Sequence, residues 1–278
     1  MVEILRVESL TKTFSKKNLF NSEKDVIKAV DNVNFSLQEG EILAIAGQSG
    51  SGKSTIAKLI LRAIEPDSGK IYFDGNEVTH DSIDLKKFRT KCQMIYQDPY
   101  DSINPRMKVF DIINEPLEIH GIGTKNERYN IVLEALKQVK LEPAEEILEK
   151  FPHMLSGGQR QRIVIARAIV TKPRLIIADE PVSMLDVSVR GEILELISNI
   201  QKNNNISIIY ITHDLATAKF FADKIIVLYS GRIMEMGLIS NVLDAPEHPY
   251  TQALIDAISN PDPKNLYKEK NVNWKMND

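Results

Sequence analysis

ILAIAGQSGSGKS, Ile42 to Ser54, holds the reading on which the fold depends. Ile42–Ala46 is a short run of apolar residues, the pattern of a strand buried on both faces in a parallel sheet. A glycine-rich turn follows, and Ala57, Leu59 and Ile60 then recur at helical spacing. Strand, glycine turn and helix form the context in which GxxxxGK[ST] holds phosphate. Here that loop is Gly47, Gln48, Ser49, Gly50, Ser51, Gly52, Lys53 and Ser54, with Thr55 after it. Backbone N–H groups of Gly50, Gly52, Lys53 and Ser54 can cradle β-phosphate oxygens at a helix N-terminus. Lys53 reaches the β and γ phosphates, and the Ser54 hydroxyl suits Mg²⁺. An α/β nucleotide-binding chain is expected.

Working outward, Val33, Phe35 and Leu37 alternate with polar residues as a half-buried strand does. Short strands are expected at 71–73, closed by Asp74-Gly75, and at 93–96, ended by Asp98-Pro99. Further strands are expected at 174–178, 207–212 and 224–229, separated by helical patterns. Between 100 and 150 apolar residues fall at helical spacing (Val109, Ile112, Ile113; Ile131, Leu133, Leu136) with prolines as punctuation. This reads as a helical subdomain inserted into the α/β core. Beyond Gly237 a short helical extension is expected, followed by a polar tail over 260–278 with the composition of partial disorder. The chain shows no internal repeat and no heptad run.

Leu175-Ile-Ile-Ala-Asp-Glu180 is an apolar strand ending in two carboxylates. Adjacent acids at a strand end face different ways and can take different tasks. Asp179 is expected to hold magnesium through its water shell, and Glu180 to polarise the attacking water as general base. Gln97 and His213 also end strands, at the edge where open parallel sheets bind ligands. His213 can hydrogen-bond a γ-phosphate, and Gln97 can meet the magnesium or the water. His80, His120, His153 and His248 show no ligand spacing, so no protein metal site is expected. Phe14, in LTKTF, is the first candidate for stacking adenine, a contact that contributes about 1–3 kcal/mol per base in nucleic-acid sites. Phe20 is the second.

At Ser156-Gly157-Gly158 another helix begins, with Ser156 as cap and Gln159 as its capping-box partner. Two bare glycines also let an anion reach the first N–H groups. An ordinary capped helix and an anion site are equally open on spacing alone.

Composition narrows the class. With 278 residues, the chain can bury a sizeable core as one large domain or two small ones. A formal net charge of -3 supplies no general attraction for nucleic acid or an anionic membrane. One cysteine, Cys92, excludes an internal disulfide and fits a reducing compartment; its neighbours suggest a half-buried structural thiol. No apolar run is long enough to cross a bilayer, and MVEILRVESL lacks the layout of a secretion signal. A soluble cytoplasmic protein is expected, one that serves a membrane only by docking on other chains.

The phosphate loop, Gln97, Leu155-Ser-Gly-Gly-Gln159, Asp179-Glu180, Asp186 and His213 together resemble the nucleotide-binding subunit of an ATP-binding cassette (ABC) transporter. The resemblance covers nearly the whole chain, and LSGGQ is far more specific than the phosphate loop. It implies a P-loop NTPase (RecA-like) core with an N-terminal antiparallel β region. A helical subdomain is inserted at about 100–165, and a C-terminal extension covers about 238–259 of a domain spanning 1–259. It implies ATP and Mg²⁺ as cofactors, with Glu180, His213 and Gln97 catalytic and Ser54, Gln97 and Asp179 at the metal. Phe14 and Gly47–Thr55 would bind the nucleotide from one subunit. Ser156, Gly157, Gly158, Gln159 and Asp186 would meet it from a second subunit bound head to tail.

The implied partners are two transmembrane permease subunits and a second ABC ATPase, identical or different. A solute-binding protein outside the cell would act indirectly, no nucleic acid is involved, and the location is peripheral, on the cytoplasmic face of the cell membrane. The segment 100–150 would receive short helices of the permeases, with Tyr100, Ile103 and Met107 as contacts. His248-Pro-Tyr-Thr-Gln-Ala-Leu254 resembles the tail of the oligopeptide, dipeptide and nickel importer branch, which includes some oligosaccharide importers; a polar loop at 15–28 fits the same branch. Met184 departs from the alanine more frequent there, and the tail lacks the cysteines of an iron–sulfur cluster. A soluble ABC ATPase acting on DNA or ribosomes is the alternative, although the chain has no long coiled coil, zinc module or second cassette. A P-loop small-molecule kinase would leave the signature and His213 unexplained. An exporter subunit stays open, because fold does not set direction.

Overall fold

The computed structural model describes residues 2–17, 24–79 and 85–259. The chain divides into two compact units, one formed by residues 3–79 with 210–278, the other by 1–2 with 80–209.

The first unit opens with two long strands, β1 (Glu3–Lys17) and β2 (Lys24–Gln38), paired antiparallel. Leu5 lies opposite Leu37, Val7 opposite Phe35 and Leu10 opposite Val33, so the alternating apolar set of each strand falls on one buried face. The described parts of the expected polar loop at 15–28, residues 15–17 and 24–28, are strand: Ser15 faces Val26, and Phe14 before it faces Ile27. The β-branched Thr13, Val26 and Ile27 extend the ribbon. Phe20 lies outside the described residues. Next come β3 (Ile42–Ala46), buried at all five positions, α1 (Lys53–Ile60), β4 (Ser68–Phe73) and β5 (Asn76–Glu77). One sheet of this unit has the order β2-β1-β4-β5.

The second unit carries α2 (Leu85–Lys91) and β6 (Cys92–Ile95), then α3 (Pro99–Ser102), α4 (Val109–His120), α5 (Lys125–Gln138) and α6 (Ala144–Leu148). A single 3-10 turn leads into α7 (Gly157–Ile169), β7 (Leu175–Asp179), α8 (Val187–Asn204) and β8 (Ser207–Thr212). Val109, Ile112, Ile113 and Leu117 form the buried face of α4, which packs with α5 against α7. Strand β6 pairs in parallel with β7, and β7 runs one residue past the expected end, which makes Asp179 its last residue. Two expectations need correcting here. Cys92 is fully buried rather than half-buried, and burial pushes its thiol well above the ordinary value. Ile103 is only 5% exposed, so it belongs to the core and offers no contact surface.

The boundary between the units falls within β8, after Ile209. The chain then adds to the first unit α9 (Leu215–Phe221), β9 (Lys224–Tyr229), β10 (Arg232–Leu238), α10 (Ile239–Asp244) and α11 (Pro249–Ser259). Strand β9 pairs in parallel with β3 and antiparallel with β10 through the tight turn at Ser230-Gly231, where both residues have positive φ. The sequence pattern gives no sign of β10, because none of its residues is buried and its apolar residues do not alternate cleanly. No helix among the described residues is long and apolar enough to cross a membrane.

Candidate active site

The phosphate loop lies in the first unit, between β3 and α1. Gly47 has φ 153°, and a Cβ there would lie 2.2 Å from the carbonyl oxygen of Leu228. At Gly52, φ is 107° and a Cβ would lie 2.1 Å from the carbonyl oxygen of Ala29. Contacts that close admit only glycine, so β2 and the end of β9 set the course of the loop. The Gly231 N–H donates to the Ser51 carbonyl at 2.9 Å and pins the loop from the turn after β9. Lys53 is buried, and its ammonium donates to the carbonyls of Gly47 and Gln48 at 2.7 and 2.8 Å, so its charge sits within the loop's own curve.

Three features of this loop fit a polyphosphate. Helix α1 has no side-chain cap, so its first amides remain available to an anion. Ser51 Oγ and Gln48 Nε2 are buried with no hydrogen-bond partner among the described residues. Ser49, Gly50 and Ser54 are exposed at the mouth, which leaves the Ser54 hydroxyl open to a hydrated cation. Thr55 is half-buried behind it. Phe14, on β1, is 44% exposed with the Lys12 ammonium 5.8 Å from its ring centroid, so it is not a core residue. His213 is exposed directly after β8, between Thr212, whose hydroxyl accepts from the Asp214 N–H, and Asp214, which caps α9.

The second unit holds the carboxylates and the signature. Asp179 is buried at the end of β7. Glu180 takes a left-handed backbone conformation (φ 47°), and the Ser183 N–H and hydroxyl donate to its carbonyl. Gln97 Nε2 donates to the Glu180 carboxylate at 3.2 Å and brings two of the expected catalytic residues into direct contact.

At the start of α7 the expected capping box is formed, with Ser156 Oγ accepting from the Gln159 N–H and Gln159 Oε1 from the Ser156 N–H. The two glycines that follow are not equivalent. A Cβ on Gly158 would approach Val189 Cγ1 to 2.9 Å, so helix packing against α8 already calls for a small residue there. On Gly157 it would meet only Leu185 Cδ2, at an ordinary 3.8 Å, and nothing among the described residues requires glycine. Asp186 begins α8 without its side chain capping the helix, and it is exposed together with Met184 and Val187.

Two arginines that the sequence reading did not single out hold these parts. Arg190 donates to the carbonyls of Leu185 and Ser183, which sets the loop before Asp186. Arg160 donates to the carbonyls of Pro152 and Leu155 and lies 4.3 Å from the ring of Tyr100, which is 61% exposed. The signal available was only that each is a charged residue one turn into a helix. Met107 is half-buried.

Two family models match. One, described as ABC transporter, covers residues 30–183; the other, described as the C-terminal region of oligopeptide/dipeptide transporters, covers 234–275. A putative peptide import ATP-binding protein of Brucella ovis is 43% identical over 261 residues, 94% of this chain and 80% of that one. An oligopeptide transport ATP-binding protein of Bacillus subtilis is 43% identical over 260 residues, 92% of this chain and 84% of that one. Among solved structures, a dimeric ATP-binding cassette in a post-hydrolysis state bound to ADP and Pi matches with TM-score 0.73 and 32% identity, over 85% of this chain and 99% of that one. Part of an ABC transporter complex from Clostridium perfringens matches with TM-score 0.76 and 29% identity, over 88% and 92%.

Proposed function

This chain belongs to the ABC transporter family and is an ATPase of the importer type, and from that premise we propose that it powers uptake of peptides or other small solutes, such as an oligosaccharide or nickel, across the cytoplasmic membrane. The observation that carries the cargo class is the match of residues 234–275 to the oligopeptide/dipeptide transporter C-terminal region, which contains the His248–Leu254 stretch. The relatives named above are described as a putative peptide import and an oligopeptide transport ATP-binding protein, and they lend no support to the alternative of action on DNA or ribosomes.

In this reading the amides of the phosphate loop and Lys53 hold the triphosphate, and Phe14 stacks on adenine. Ser54, Asp179 and Gln97 would hold Mg²⁺, which would supply charge neutralisation to the phosphates. Glu180 takes the proton of the water that attacks the γ-phosphorus, and the Gln97 bond keeps that carboxylate oriented. His213 donates to a γ-oxygen. The β–γ bridging oxygen leaves with ADP, its charge met by the loop amides and Lys53.

Ser156, Gly157, Gly158, Gln159 and Asp186 close over the nucleotide of a second ATPase subunit, identical or different, so hydrolysis requires dimer closure. Two permease subunits dock on exposed residues near Tyr100 and hold the chain peripherally at the cytoplasmic face. A solute-binding protein outside the cell acts through them. The test is affinity purification from detergent-solubilised native membranes, with identification of partners and assay of peptide-stimulated hydrolysis. Co-purification of two permease subunits is the expected result; a chain that leaves the membrane alone and hydrolyses ATP without response to peptide would sink the transport reading.

A further inference from the structure

Helix α7 carries the signature at its first turn, and two of its arginines grip segments outside the helix. Arg160 donates from Nε to the Pro152 carbonyl at 2.8 Å and from Nη2 to the Leu155 carbonyl at 2.9 Å. The Pro152 carbonyl also accepts the Leu155 N–H at 3.1 Å, so one oxygen closes the 3-10 turn and receives the guanidinium. Ser156 follows Leu155 directly, and its hydroxyl caps α7. Arg160 therefore fixes, from within the helix, the turn that delivers the signature.

A planar guanidinium can donate along its edge while an aromatic ring lies against its face. Tyr100 takes that face, with its ring centroid 4.3 Å from the guanidinium carbon. Tyr100 belongs to α3, and the side chain of Asp98, the cap of that helix, accepts the Tyr100 N–H at 2.7 Å. Helix α3 begins two residues after Gln97, the residue that bonds Glu180. Further along α7, Arg167 donates to the carbonyl of Ser102, the last residue of α3, at 2.8 Å and to Glu115 at 2.7 Å. Seven residues make close to two helical turns, so both arginines lie on one side of α7 and hold α3 at two points. A displacement at Gln97 that moves α3 acts on the Arg160 guanidinium, and through it on the two carbonyls before Ser156.

We propose that Arg160 is a positioning residue for the signature. It holds the turn at 152–155 so that Ser156 and Gly157 meet the second subunit's nucleotide, and it ties that turn to α3. The state of Gln97 and Glu180 at the chain's own site thereby reaches the surface offered to the other site. This rests on the reading of Ser156–Gln159 as contacts to a second subunit's nucleotide. Arg160 acts through the signature and not through the phosphate loop, so its loss should spare the chain's own nucleotide affinity and lower turnover.

The test joins three measurements. They are calorimetric titration of the full chain with a non-hydrolysable ATP analogue and Mg²⁺, thermal unfolding, and phosphate release at saturating ATP by the complex reassembled with its partners. Arg160→Met keeps the aliphatic length beside Tyr100 and deletes the donors and the charge. It should bind the analogue as wild type does and release phosphate about 5- to 50-fold more slowly, within the span usual for coupling between two sites. Arg160→Lys keeps the charge but cannot bond two carbonyls and face the ring at once, so it should recover only part of the loss. Arg162→Met, on the same helix, removes bonds to the Val139 carbonyl and Glu192. It should lower the unfolding midpoint without slowing phosphate release. Wild-type release by Arg160→Met, full recovery by Arg160→Lys or an equal loss in Arg162→Met would overturn the proposal. Wild-type release by Gly157→Ala would instead remove the signature reading on which it stands.

Discussion

Replacing Gly157 by alanine separates what the signature helix needs for folding from what it needs for a partner's nucleotide. The added methyl would sit 3.8 Å from Leu185 Cδ2, an ordinary contact, so the fold can accept it. Glycine to alanine in a helix stabilises by roughly 0.5–1 kcal/mol, and less in the first turn. For a chain of this size that raises Tm by no more than about 2–4 °C. Gly158→Ala behaves differently. Its methyl would lie 2.9 Å from Val189 Cγ1, and since carbon contacts favour about 3.5–4.0 Å, the valine must yield. Overpacking of this kind costs about 1–3 kcal/mol, so Tm falls.

Function should run the other way for Gly157. A Cβ in the first turn tilts toward the helix N-terminus, into the space proposed for the γ-phosphate of the second subunit. Losing one amide bond to a charged group costs about 1.5–3 kcal/mol, or roughly 10- to 150-fold in ATP-driven closure and hydrolysis. The assays are thermal unfolding, analogue binding at the chain's own loop, and phosphate release by the complex reassembled with its permease partners. Expected are an unchanged or raised Tm, unchanged binding and hydrolysis at least about tenfold lower. Wild-type hydrolysis by Gly157→Ala would refute the shared site.

Three further outcomes are expected. Glu180→Gln keeps an oxygen to accept the Gln97 bond but cannot take a proton, so hydrolysis should fall about 10²- to 10⁴-fold. ATP binding should persist and light scattering should show Mg-ATP-dependent dimer; near-normal turnover would remove Glu180 from its role. The N–H groups of Glu247 and His248 donate to the Glu235 carboxylate at 3.0 and 3.1 Å; although burial opposes it, the Glu235 pKa is lowered, so its stabilisation is complete above its ordinary value of 4.5 and is lost as pH falls through the folded-state value. The Tm gap between wild type and Glu235→Gln should therefore be open at neutral pH and close in acid; a gap that widens in acid would contradict the assigned bonds. Tyr100→Ala, at an exposed site, should spare folding and nucleotide binding yet uncouple hydrolysis from transport, and unchanged transport would place the docking surface elsewhere.

Strand β3, the loop, helix α1, the apolar strands β7, β8 and β9 and the capping box at Ser156 were all legible from residues 42–60 and 155–229, because each is a pattern among near neighbours. Sequence also paired Asp179 with Glu180. It could not show that Gln97, 83 positions away, bonds the second of them. Nor could it show that Gly47 and Gly52 are required by the carbonyls of Leu228 and Ala29. The burial of Ile103 and Cys92, the strand character of 24–28 and the whole of β10 likewise depended on partners distant in the chain.

The signature glycines show the difference most sharply. Both read alike in LSGGQ, where either could serve an anion or simply open a helix. Only the packing of α8 tells them apart, since Val189 crowds Gly158 and no described residue crowds Gly157. Tyr250 is the converse case: one aromatic in a seven-residue motif, with no local sign that its ring would lie 4.5 Å from that of Tyr229 at the end of β9. Periodicity reports which face of an element is buried. Steric exclusion and hydrogen bonding between remote backbones depend on where the folded chain brings them, and no local pattern encodes that distance.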